Sequence, residues 1–169
     1  MKTTMMRLAL GALMTVALFG QVKIAVLNTQ KALLETAEIK KAQADLEVKY
    51  KPRTDDLRKL DTELVDIQSR LSAGTGKLTP QVEADLSSMG QRKQREMQRK
   101  QEDLQADVER DRQEILLKAS QRMQDVVKKL ADEKGYDVVL DASNTVHFKA
   151  TLEMTGEATA AYDKAHPVK

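Results

Sequence analysis

The residue types that carry most protein chemistry are scarce in this chain. It has two histidines, His147 and His166, and no cysteine. Neither histidine has a second histidine or a cysteine at metal-ligand spacing. Without cysteine there is no disulfide and no thiol chemistry, which is compatible with an oxidising compartment without demonstrating one. No glycine-rich phosphate loop follows a strand-like run, and no nucleophile motif is present. Carboxylate pairs such as Asp107 and Asp111 have a routine place on a solvated helix. The chain is therefore read as a non-enzyme with no cofactor and no metal. What remains is surface chemistry. Residues 91–100 hold Arg92, Lys93, Arg95, Arg99 and Lys100 against Glu96, whereas residues 102–114 hold six acids against Arg110 and Arg112. This asymmetry is either a solvated face or a surface that attracts acidic client proteins or anionic lipid headgroups. Met89, Met97 and Met123 can add adaptable apolar contacts, with seam packing as the alternative for the first two.

The elements that present this surface are two long helices. The first is predicted from Glu38 to Leu71, where Leu57, Leu60, Leu64, Ile67 and Leu71 recur at steps of three and four, a coiled-coil seam. The second is predicted from Gln81 to Glu133, with Pro80 suited to its first turn. Its seam, Val82, Leu86, Met89, Lys93, Met97, Lys100, Leu104 and Val108, repeats every eleven residues and predicts a weakly wound pairing. Residues 72–80, rich in Gly, Ser and Thr, form the turn. If the two seams face each other as an antiparallel hairpin, opposed residue numbers sum to a near-constant. They do so from Leu71/Val82 down to Leu46/Val108, mostly with apolar partners. Two rungs are weak, Leu60 against Lys93 and Arg53 against Lys100. Gly90 lies beside the first and Pro52 beside the second, so these are the expected flexible points. Acid-before-base pairs at i, i+4, such as Glu96/Lys100 and Glu114/Lys118, support solvated helices.

The flanks read differently. Val22–Leu27 is a β-branched run typical of a strand, and Asn28 can cap a short helix over Thr29–Glu35. Gly135 is a helix stop. Beyond it, Tyr136–Asp141 and Thr145–Phe148 read as a β-hairpin turning through residues 142–144. Thr155 can then cap a final helix to about Lys164. The fold class is α+β: a small β body, residues 21–41 and 134–169, carrying a long antiparallel α-helical hairpin, a coiled-coil arm over residues 42–133. Three strands and two short helices make a core that is marginal alone, and its open strand edges invite pairing. The body is expected to oligomerise, with Ile24, Val26, Val138 and Leu140 in the shared core.

Charged residues make up 32% of the chain and aromatics 3%. That is too polar for a large globular core and suits exposed helices. The formal net charge is +2. Two of the cations, Lys2 and Arg7, lie in the first twenty residues, which hold no acid, so the remainder is near neutral and has no bulk attraction for nucleic acid. Met1–Gly20 has the form of a secretory signal. A basic start precedes the apolar run Leu8–Phe19, which is too short to span a bilayer. A buried N-terminal helix and a retained anchor are the alternatives. Ala17 and Gly20 are both small enough to end it.

The order of these features resembles the Skp/OmpH family of periplasmic chaperones. The residues that carry the resemblance are the signal-like segment, Lys23-Ile24-Ala25-Val26-Leu27-Asn28, Tyr50-Lys51-Pro52-Arg53 with Leu57-Arg58-Lys59-Leu60, and Tyr136-Asp137-Val138-Val139-Leu140-Asp141-Ala142. It covers nearly all of residues 21–169, a single chaperone domain. It implies a periplasmic homotrimer in which three β bodies join and three arms surround a cavity. There it would hold unfolded outer-membrane proteins without ATP. The five basic residues Arg92–Lys100 are the expected client contacts. A structural or adaptor coiled coil of the cell envelope is the alternative. It would bind one folded partner, where a holdase binds many unfolded ones.

Overall fold

The structure is a computed structural model and describes residues 22–168. The signal-like segment lies outside them. The elements run β1 (Ile24–Leu27), α1 (Thr29–Leu34), α2 (Ala37–Ala73), α3 (Pro80–Lys134), β2 (Val138–Asp141) and α4 (Thr155–Ala165), with single turns of 3-10 helix at residues 142–144 and 150–152.

The first three helices start where local chemistry requires it. Asn28 accepts the Lys31 N–H, Thr36 the Ile39 N–H and Thr79 the Val82 N–H, each satisfying a backbone donor the first turn leaves open. Pro80, which has no N–H to lose, occupies the first position of α3. Gly135 ends α3 with φ at 68°, a left-handed conformation that disfavours any side chain. α2 has 37 residues and α3 has 55, so they extend about 55 and 80 Å. α2 continues through Pro52 without interruption.

The strand prediction needs correction. β1 pairs with β2 in parallel, Ile24 opposite Val138 and Val26 opposite Leu140. A parallel pair cannot be joined by a short turn; here the whole helical hairpin is the crossover. Residues 145–149 form no strand, and β1 is flanked on its other side only by a single bridge from Val26 to Glu153. The expected β-hairpin is absent because the chain leaves β2 through the turn at residues 142–144 and returns to the far edge of β1, where Glu153 bridges Val26 and the Met154 N–H donates to the Val26 carbonyl at 2.9 Å. Thr155 does not cap α4 either. It is the first helical residue, and its hydroxyl accepts the Asn28 N–H at 3.0 Å, tying α4 to the end of β1.

The core lies at the base, where the C-terminal part of α3 meets α1, α4 and one face of the sheet. Ala25, Leu27, Leu33, Ile39, Met123, Leu130 and Tyr162 are buried there. Met123, expected among the exposed methionines, is 1% exposed. Farther out, the arm buries Tyr50, Leu60, Ile67 and Leu86.

A polar joint fixes the arm to the body. Glu38 accepts from the Tyr162 hydroxyl at 2.5 Å through one oxygen and from Arg122 at 2.6 Å through the other. Burial raises the Glu38 pKa, but these two donors outweigh it and the carboxyl lies below its ordinary value. Burial, then the bond to Glu38, pushes Tyr162 up to about 12. Asp163 accepts the Ala37 N–H at 2.9 Å, placing a carboxylate at the positive end of α2.

Candidate functional site

The described residues hold no group of three His, Cys, Asp or Glu placed to bind a metal ion. His147 is exposed in the irregular segment before α4, and His166 lies against the Tyr162 ring with centroids 5.0 Å apart. No helix among the described residues is long and apolar enough to cross a membrane. The candidate site is the surface of the arm.

The five basic residues are not equivalent. Lys93 is bound by Glu63 across the hairpin, and Lys100 pairs with Glu96 at 3.0 Å along α3. Arg92 donates to the Ser88 hydroxyl at 2.9 Å, and Arg95 and Arg99 are exposed with no ion pair among the described residues. Arg92, Arg95 and Arg99 follow steps of three and four, so they share one side of α3. The structure thus gathers three guanidiniums into a solvent-facing row and directs the two lysines to carboxylates.

The acidic stretch has a structural role. Asp107 accepts from Arg53 at 2.7 Å, and Asp111 accepts from Lys49 at 2.5 Å and Tyr50 at 2.7 Å. Arg110 joins both carboxylates. The hydrogen bonds from Lys49 and then Tyr50 hold Asp111 down at about 2, and the Arg53 bond leads in lowering Asp107. This clasp sits beside Pro52, where a weak rung was expected. At the other weak rung Leu60 is buried, because Lys93 turns aside to Glu63. The rungs themselves shift, here by about two turns: Arg53 meets Asp107, where the seam matching paired it with Lys100. Side chains on a helix lean toward its N-terminus. In an antiparallel pair the two sets therefore lean oppositely, so a residue of α2 meets one closer to the body on α3.

On one side of the hairpin lies an open groove lined by Leu57 from α2 and Met97, Leu104 and Val108 from α3, with Gln101 and Gln105 along its edge. All four apolar residues are only half buried. The sequence reading passed over the glutamines because a neutral amide registers neither as charge nor as seam. Their three-and-four spacing was the available signal.

The chain matches the outer membrane protein (OmpH-like) family over residues 23–162. That span takes in the sheet, the whole arm and most of α4. The chain belongs to the OmpH-like family. This OmpH-like chain is 28% identical over 152 residues to the chaperone protein Skp of Salmonella typhimurium, covering 89% of this chain and 91% of that protein. It is 26% identical over 137 residues to the Skp-like protein of Pseudomonas aeruginosa, covering 81% and 82%. A solved OmpH-like outer membrane chaperone from Caulobacter crescentus shares the fold with a TM-score of 0.70 at 18% identity, covering 88% of each chain.

The four residues expected in a shared core divide. Ile24, Val138 and Leu140 are 38%, 42% and 42% exposed, while Val26 is 1% exposed. Val26 is thus buried within its own chain, and its backbone bridges to Glu153.

Proposed function

We propose that residues 21–169 are one ATP-independent holdase domain, secreted to the periplasm behind a cleaved signal, that binds unfolded outer-membrane proteins and prevents their aggregation. The observation that carries this reading is an arm whose apolar seam leaves Leu57, Leu64, Met97, Leu104 and Val108 half buried and Val82 and Met89 exposed, in a chain of the OmpH-like family. Names of the relatives, chaperone protein Skp among them, support it. Such a surface suits many weak contacts with unfolded chain and offers no enclosed pocket for chemistry. The decisive experiment dilutes a urea-unfolded porin into buffer with a slight excess of the protein and no nucleotide. Light scattering should stay low; aggregation at the rate seen without the protein would sink the proposal.

The assembly proposed is a homotrimer through the body. Ile24, Val138 and Leu140 form an exposed apolar sheet face, the outer edge of β2 has no strand partner among the described residues, and Val146 stands fully exposed in the segment that alternates like a strand. A second copy satisfies all three.

Arg92, Arg95 and Arg99 are proposed to steer acidic clients, with anionic lipid headgroups as a second ligand class. Exposed charges speed encounter more than they prolong binding. Replacing all three by Gln should slow association with an acidic porin severalfold at low salt. The difference should shrink at physiological ionic strength, where screening acts over about 8 Å. An unchanged low-salt association rate in stopped-flow fluorescence would reduce this row to a solvated face.

A further inference from the structure

Gln91, Gln94, Gln98, Gln101 and Gln105 recur along α3 at steps of three and four. All are exposed. Gln98 donates to Glu102 at 2.9 Å; the other four carboxamides make no hydrogen bond among the described residues. At about 100° of rotation per residue, Gln94, Gln101 and Gln105 lie beside the seam, whereas the arginine row lies on the back of α3. Two members, Gln101 and Gln105, form the α3 lip of the groove floored by Leu57, Met97, Leu104 and Val108.

A carboxamide presents two donors and an acceptor. The electrostatic complement of a row of amide dipoles is another such row, and a polypeptide main chain is one. The row itself carries no formal charge, and the charged residues that also line the groove, Arg58, Asp61 and Glu109, bring both signs, so the site discriminates little between acidic and basic sequences. The half-buried floor beside it takes apolar side chains from one face of an extended segment.

We infer that this lip and groove bind an extended segment of unfolded polypeptide, its peptide groups against the free carboxamides and its alternate side chains on the apolar floor. The inference rests on the holdase reading and adds the means of holding: the main chain is recognised, and sequence is largely ignored. Spacing also explains release. Successive glutamines lie about 5 Å apart along the axis, whereas peptide groups on one edge of an extended chain recur about every 6.8 Å. A few amides engage at once, and a continuous ladder cannot form. Individual bonds therefore exchange, and the segment is held without being locked.

The test uses the full mature chain with Gln94, Gln101 and Gln105 replaced by Ala, which favours the helix; circular dichroism checks the arm. Two probes are followed: a urea-unfolded outer-membrane β-barrel protein, and a short alternating apolar–polar peptide with and without methyl groups on alternate peptide nitrogens. The variant should capture the barrel protein at the wild-type rate and release it about tenfold faster, as expected for several modest hydrogen bonds lost together. Methylation should weaken peptide binding to the wild type and have little further effect on the variant, the signature of a coupled pair. Release at the wild-type rate, or an equal methylation penalty in both proteins, would overturn the inference. A wild-type chain that fails to capture the barrel protein at all would overturn the holdase reading beneath it.

Discussion

Asp111 joins three donors that lie on both helices of the arm: Lys49, Tyr50 and Arg110 all reach its carboxylate. From sequence it was one more acid on a solvated helix. Only the pairing of the helices reveals that Tyr50, buried at 7% exposure, needs an acceptor for its hydroxyl. The linkage has a definite sign. The folded pKa, about 2, lies below the ordinary value of about 3.9. The clasp therefore contributes fully above about pH 4 and is lost as pH falls toward 2. Thermal unfolding of the wild type should steepen its acid sensitivity across that window, and Asp111→Asn should be less stable at neutral pH and flatter below pH 4. Because the surrounding cations are largely exposed, added salt should narrow the gap. Parallel curves for the two proteins between pH 4 and 2 would show that the clasp adds nothing.

At the scale of the element, most boundaries were legible. The cap at Asn28, Pro80 at the start of α3 and Gly135 at its end lie where sequence placed them, because capping depends on residues within a few positions. The segment 145–149 was misread for the opposite reason. Its alternation suits a strand, but the chain runs past the open edge of β2 to reach the far side of β1, so the segment pairs with no strand among the described residues. The weak points of the arm remain a testable reading. An ideal methyl at Gly90 would lie 3.4 Å from the Ile67 side chain and meet nothing nearer. Gly90→Ala should therefore stabilise the arm by about 0.5–1 kcal/mol through helix propensity. Amide exchange over residues 88–100 should slow more than over 104–108. Equal slowing along the whole arm would argue against a soft point at Gly90.

For the whole molecule, the proposed trimer makes opposite demands on neighbouring residues of one sheet. Val138 is exposed in the single chain, whereas Val26 is buried within it. Val138→Glu should leave the chain folded by circular dichroism yet shift sedimentation to a smaller species. Val26→Glu should cost about 3 kcal/mol or more and unfold the body, since it buries an unpaired carboxylate. Testing assembly at Val26 would thus confuse folding with association. A wild-type chain that sediments as a monomer at micromolar concentration would dispose of the trimer.

Sequence alone determined the helical hairpin, its turn, Pro80 at the start of α3, Gly135 at its end and the small size of the body. These follow from periodicity and from residues close in the chain. The parallel pairing of β1 with β2 was decided only in three dimensions, because the strands are separated by the entire arm and nothing local records their direction. The division of the basic stretch was also tertiary: Lys93 finds Glu63 thirty residues away, while Arg95 and Arg99 form no ion pair among the described residues. The fate of Val26 and Thr155 likewise depended on where the C-terminal segment returns. Sequence supplied the amide row and the apolar seam as two separate patterns. Packing set them side by side, since the flank of a helix becomes a lip only when a second helix supplies the other wall.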